Sequence, residues 1–346
     1  MQISGSLASK FLVMLFCNLA IVAMAALAVA MAALAANTYA QPSQLQVMDF
    51  PSKPVRVVSP YPPGGVVDIA GRLLGAKLSE FWKQQVIIEN RVGGSGVVGL
   101  QHVAKAAPDG YTILLATVGD FAVTPHAYSK LSFNVAKDFA PVIYLTDTPL
   151  VFAAHSSTPF NNIKEMIAHS RQLSGGLSYA TPGLGTIQHV VAERFALETG
   201  AFLVHIPYKG GGPAGAALAA GEVPLGLMGI SSAAPHVKTG RVKALGVATA
   251  IRLASIPEWP AINETVPGFI ASNWVGAVVP TGTPRAIIDK LNADFNRALK
   301  LADVREKLNA VGTETGGSTV EEFANRLRTE SEQFAKVIKQ INLKLD

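Results

Sequence analysis

The chain has 346 residues, 49% of them hydrophobic, with 29 Lys and Arg against 24 Asp and Glu and a formal net charge of +5. The basic residues are scattered, without a Lys/Arg cluster or interleaved aromatics, which argues against a nucleic-acid surface. A single cysteine excludes a disulfide framework, and seven histidines with no H-E-x-x-H motif and no i,i+4 pair give no basis for a metal site.

A short polar region ends at Lys10, and an apolar run from Phe11 to Ala36 follows, interrupted only by Asn18. Thr38-Tyr39-Ala40 places small residues at −3 and −1 of a cleavage after Ala40, which is the layout of a secretory signal peptide over residues 1–40. The run is also long enough to span a bilayer, so retention as an uncleaved anchor stays open. Cys17 follows Phe16, a poor context for lipoprotein processing. A periplasmic protein is expected. With the leader removed it has no cysteine and rests on an ordinary hydrophobic core.

Val55 to Val58 reads as a buried strand running into Ser59-Pro-Tyr-Pro-Pro-Gly-Gly65. Gly64 and Gly65 can take φ > 0 there, and a helix from Asp68 to Trp82 opens behind them with bare N–H groups. Such a terminus carries about half a positive charge and suits an anion or carboxylate. Val86 to Ile88 is a short strand, Ser95 to Ala106 a helix and Tyr111 to Ala116 a strand, a β-α-β-α-β run that implies parallel pairing. Pro141 to Ala154 is apolar but long for one strand and reads as a first passage between domains. Helices at 163–171, 186–199, 213–220 and 232–239 then alternate with strands at 177–180, 203–207, 223–228 and 244–248. Phe269 to Val279 reads as the return passage, and helices near 284–301, 304–310 and 320–338 close the chain. The expected fold is α/β, with two lobes joined by two crossing segments: lobe 1 at 50–147 and 276–346, lobe 2 at 148–275. A ligand cleft is expected between the lobes, at the C-terminal ends of their strands.

Several residues stand where such a cleft would open. Gly64, Gly65 and Asp68 belong to the first loop; Asp68 can tighten that loop or take a hydroxyl or amine on the far end of a ligand. Thr117 and Asp120 follow the strand at 111–116. Thr181, Gly183, Gly185 and Thr186 repeat the strand–turn–helix logic, with His189 one turn further on. Lys209 and Gly210 follow the next strand. A literal G-x-G-x-x-G at Gly94, Gly96 and Gly99 does not follow its strand directly, as a dinucleotide site would require. No serine carries a G-x-S-x-G elbow, so a secreted hydrolase is the weaker enzyme alternative.

The stretch Tyr61-Pro-Pro-Gly-Gly-Val-Val-Asp68 resembles the first binding loop of the tripartite tricarboxylate receptor family, also called the Bug family. Glu89-Asn-Arg91 with Gly93 to Gly99, Ala107-Pro-Asp-Gly-Tyr-Thr-Ile113, and Ser178 to Thr186 with His189 resemble its next segments. His205-Ile-Pro-Tyr-Lys-Gly210, Pro235-His236 with Lys238, and Trp274 before Val279-Pro-Thr-Gly-Thr-Pro284 complete the likeness. The resemblance implies a type II periplasmic-binding-protein fold that takes a small carboxylate or related molecule. It adds Tyr61 and Trp274 to the expected ligand contacts. Many relatives carry an acidic residue and an Asn where this chain has Met228 and Gly229, which implies a more apolar wall on the second lobe. The expected protein is a monomer without cofactor. Its partners are a small organic acid and either the membrane subunits of a tripartite transporter or a sensor kinase.

Overall fold

The computed structural model describes residues 49–345; the leader expected over 1–40 lies outside the described residues. The unit that begins at Pro51 carries all ten strands of one sheet. β1 (Val55–Ser59) presents Val55, Val57 and Val58 to the interior and leads through the Pro-Gly turn into α1 (Val66–Trp82). Val67, Ala70, Leu74 and Leu78 form the buried stripe of that helix. α1 starts two residues before the expected Asp68, because Gly65 takes an extended conformation (φ −78°, ψ 166°) and serves as its N-cap. β2 (Val86–Asn90), α2 (Val97–Ala104) and β3 (Thr112–Thr117) follow, with β2 and β3 both parallel to β1. The helix expected from Ser95 begins only at Val97, since Gly93, Gly94, Ser95 and Gly96 all have positive φ. After β3 the chain makes a π-helical turn at Gly119–Val123.

The segment read as a domain passage is one continuous 17-residue strand, β4 (Phe139–His155). α3 (Ile163–Gln172), β5 (Leu177–Thr181), α4 (Ile187–Thr199), β6 (Leu203–Pro207), α5 (Gly211–Ala220), β7 (Leu225–Gly229), α6 (Ile230–Lys238) and β8 (Val242–Val247) form the second half. β9 (Ser272–Pro280) returns as a strand, and α7 (Arg285–Leu299), α8 (Ala302–Ala310), β10 (Glu314–Thr315) and α9 (Val320–Gln340) complete the described chain. β10 went unforeseen in the sequence because two residues are too few to show a period.

Register explains where the site lies. Along the sheet the order is β2-β1-β3-β9-β4-β7-β5-β6, so two parallel triplets flank the antiparallel pair β9 and β4. β9 pairs with the first part of β4, from Phe139↔Pro280 to Pro149↔Ser272. β7 and β8 pair with its second part, from Leu150 and Val151 onward. The end of β3 reaches this level through Thr117↔Val275 and Val275↔Thr146. The end of β7 reaches it through Gly229↔Leu150. Both parallel groups therefore aim their C-terminal ends at residues 146–150, where open α/β sheets bind ligands.

α9 clamps the place where β4 and β9 pass between the halves. Trp274 is fully buried, with Phe323 edge-on at 5.5 Å and Phe121 stacked at 6.0 Å. Its indole N–H donates to Glu330 at 2.7 Å, and Glu330 accepts from Arg326 at 2.8 Å. The Arg326 guanidinium in turn covers the Tyr144 ring at 4.3 Å. Burial raises the Glu330 carboxyl above its ordinary value despite the neighbouring Arg326 charge. Gly276 of β9 lies beneath the Phe323 ring, so close that an added Cβ would sit 2.2 Å from Cζ. Overpacking of this kind costs about 1–3 kcal/mol. Gly276→Ala should lower the urea unfolding free energy by that amount; an unchanged midpoint and slope would show that the clamp gives way freely.

Candidate functional site

The turn between β1 and α1 opens a helix with its donors uncovered. Gly64 holds φ +86°, whereas Gly65 does not need the left-handed region, so only the first glycine is required for its backbone conformation. Gly65 matters for space instead: a Cβ there would have only the Pro62 carbonyl within 4 Å, at 3.7 Å, and the residue lines a cavity. No side chain caps α1, which leaves the N–H groups of Val66 and Val67 without an acceptor in the helix. The Gly64 N–H is already taken. It donates to Asp68 at 3.0 Å, and Asp68 also accepts from Arg72 Nε at 3.0 Å and Asn90 Nδ2 at 2.9 Å. Burial works to raise the Asp68 carboxyl, but these bonds outweigh it and hold the group below its ordinary value. Asp68 lies behind the cavity wall and closes the loop.

The second turn is built on the same plan. Thr186 caps α4, its hydroxyl donating to the Gly183 carbonyl at 2.8 Å and accepting from the His189 N–H at 3.4 Å. Ile187 and Gln188, the first two residues of α4, line the cavity. The Gln188 side chain is 8% exposed, and no hydrogen bond among the described residues uses its amide. Behind this turn, His189 stacks on His205 at 3.9 Å, and Thr181 bonds His205 Nε2 at 2.6 Å. Burial depresses His189 to about 4, and burial together with His189 depresses His205 to about 3, so both rings are neutral. The Gly185 N–H donates to His189 Nδ1 at 3.2 Å. That bond places the ring proton on Nε2.

Both turns line one cavity of about 660 Å³, within the range of small-molecule sites. Tyr61, Gly65, Val66 and Val67 come from the first half, and Gly185, Thr186, Ile187 and Gln188 from the second. Thr117, Gly119 and Asp120 at the end of β3 also contribute, as does Asn273 of β9. Among the described residues no Lys, Arg or His side chain lines it. Asp120 is the one carboxylate among the described lining residues, and the protein already satisfies it. It accepts from the Thr117 N–H at 2.7 Å, the Thr117 hydroxyl at 2.9 Å and the Tyr61 hydroxyl at 2.9 Å. Burial pushes Asp120 up to about 6, against the pull of those bonds. The glycines at 94–99 are explained by packing: a Cβ on Gly96 would meet Asp120 Oδ1 at 2.4 Å, and one on Gly99 would meet Pro60 at 2.8 Å.

The structure brings Tyr61, Gly65, Thr117, Asp120, Gly185 and Thr186 to this cavity and leaves the other expected residues off its wall. Gly64, Asp68, Thr181, Gly183 and His189 shape the two turns from behind. Lys209 is exposed, and Gly210 braces the second turn by donating its N–H to the Pro182 carbonyl at 2.8 Å. Met228 is fully buried in the apolar core of the second half, with its Cε against Gly226, and forms no cleft wall. Trp274 belongs to the clamp beneath the site. Gln188 and Asn273 were missed, as were Ser95 and Tyr128. A signal existed for Gln188, a polar residue in the first turn of a helix behind a Gly-Leu-Gly-Thr turn.

A family model described as tripartite tricarboxylate transporter family receptor matches residues 70–343. BugT of Bordetella pertussis is 32% identical over 298 residues, covering 86% of this chain and 91% of BugT. Among solved structures, an R. palustris protein with adipate is 32% identical with a TM-score of 0.73, covering 85% of this chain and 99% of that one. MatC from Rhodopseudomonas palustris with bound malate is 31% identical with a TM-score of 0.70, over 84% of this chain and 100% of MatC. The shared fold is that of periplasmic binding proteins.

Asp120 supplies a pH test of the site. Its folded value of about 6 exceeds the ~3.9 of an unfolded aspartate, so the folded state holds its proton more tightly. The stabilisation is complete below about pH 4 and is lost as pH rises through 6, by an amount on the order of 2–3 kcal/mol. Unfolding free energies measured between pH 4 and 7 should fall for the wild type relative to Asp120→Asn. A difference that stays flat with pH would contradict the assignment.

Proposed function

The chain belongs to the tripartite tricarboxylate transporter receptor family, and on that footing we propose that it captures a small carboxylate for delivery to the membrane subunits of such a transporter. Members of this family are periplasmic solute-binding receptors. In this reading residues 1–40 direct export and are removed near Ala40. The monomeric protein then closes lobe 1 (50–147 and 276–346) over lobe 2 (148–275).

The observation that carries this reading is the pair of helix starts, at Val66–Val67 and Ile187–Gln188, lining one cavity with no cationic side chain among the described residues. An anion held there is held by peptide N–H groups and helix dipoles. Hydrogen bonds to a charged group contribute roughly 1.5–3 kcal/mol each, so three or four give a gross ~5–10 kcal/mol before ordering costs. Micromolar affinity needs about −8.2 kcal/mol. The free amides of Gln188 and Asn273, the Thr186 hydroxyl, bridging waters and apolar walls supply the remainder. The Asp120 lone pairs are engaged by the Thr117 N–H, the Thr117 hydroxyl and the Tyr61 hydroxyl, which draws its charge away from the ligand. The adipate and malate seen in the two relatives are carboxylates of this size class and support the assignment.

Titration calorimetry against a panel of aliphatic mono- and dicarboxylates should find at least one ligand of about micromolar affinity. Gly65→Val sets an isopropyl group in the cavity and should weaken that ligand by about tenfold or more, ~1.4 kcal/mol, at an unchanged unfolding midpoint. A panel without a binder, or a variant that binds as well as the wild type, would refute the proposal.

A further inference from the structure

The chain beyond α9 enters the same cavity. α9 ends at Gln340, and Asn342 takes φ +52° while the Leu343 N–H returns to the Ile338 carbonyl at 3.1 Å. Burial alternates from here on: Ile341, Leu343 and Leu345 pack on the main apolar cluster, while Asn342 and Lys344 are exposed. The Leu345 N–H donates to the Ala127 carbonyl at 2.9 Å, which pins this segment to the turns that follow β3. Its side chain lies on Gly185 so closely that a Cβ there would meet its two δ-carbons at 2.6 and 2.7 Å. Leu345 thus touches the first half of the sheet through its backbone and the second-half turn through its side chain. It lines the cavity beside the wall residues Leu184, Ile187 and Tyr128. The family match stops at residue 343, so this contact lies outside the segment the family model describes.

Resting on the carboxylate-binding reading, we infer that Leu345 is a specificity-determining residue whose side chain limits the length of carbon chain the cavity accepts. The peptide donors fix the anionic end of a ligand. The space left for its aliphatic part is set by the apolar wall, and Leu345 occupies space that a longer chain would need. Gly185 and Leu345 form a matched pair in this respect, because any side chain at 185 would push the leucine off its seat.

The test is a length profile, measured by calorimetry with straight-chain α,ω-dicarboxylates of four to ten carbons on wild type, Leu345→Ala and Leu345→Phe. Leu345→Ala should move the preferred length up by one or two methylenes, with about a fourfold relative gain per added methylene. Leu345→Phe should move it down. Variants that scale affinity by one factor along the whole series, or leave it unchanged, would make Leu345 a structural plug and overturn the inference. Failure of the wild type to bind any member would instead overturn the carboxylate reading, and this inference with it.

Discussion

The pairing register of β4 is the constraint on which the rest of the molecule depends. The two parallel triplets run in opposite directions, and a β4 that paired with the same neighbours along its whole length would carry their C-terminal ends past each other, leaving the helix starts at opposite edges. Because β9 takes the first part of β4 and β7 and β8 take the second, the triplets meet head to head at residues 146–150. Every donor of the site is placed by that offset. A slip of one residue would turn each β4 side chain to the other face, and β4 is buried along most of its length, so the register is strongly specified. α9 reinforces it from outside, through the Trp274–Glu330–Arg326 contacts and the Phe323 ring against Gly276.

On the proposed reading the cavity would hold an anion without a cationic side chain among its described lining residues: two helix starts face it, and the titratable groups nearby are neutral or already engaged by the protein. The stacked imidazoles behind the second turn stay unprotonated, Asp68 is consumed by its own loop and Arg72, and Asp120 is sealed under Tyr61, Thr117 and Gly96. Such preorganisation costs stability in the free protein, as the raised Asp120 shows. It also removes the need to move long, flexible cations into place when a ligand arrives.

Much of the fold was legible in the sequence. The Pro-Gly and Pro-Gly-Leu-Gly turns announced strand-to-helix junctions, and the alternation of strands and amphipathic helices gave the parallel triplets. What escaped was β4, since a continuous apolar run does not say whether it is one strand or two. The site was legible as far as loop chemistry reaches: Gly65, Thr186 and the end of β3 follow from where strands stop. Asp68, His189 and Thr181 lie off the cavity wall for one shared reason, and for Asp68 that is the loop-tightening role the sequence left open. Polar groups close to a tight turn satisfy the turn first, and a sequence does not show that the bond is already made. Met228 and Trp274 sit in the core because an apolar side chain near a cleft is more readily absorbed there than left on the wall.

A grip made of main-chain donors has an evolutionary corollary. Amide groups are present whatever residue stands at a position, so if the proposed grip holds, substitutions on the walls would alter what fits without dismantling the part that holds the anion. Lineages built on such a frame could then exchange one acid for another by changes at a few peripheral side chains. Their diversification is then limited less by the chemistry of recognition than by which shapes the two halves can enclose.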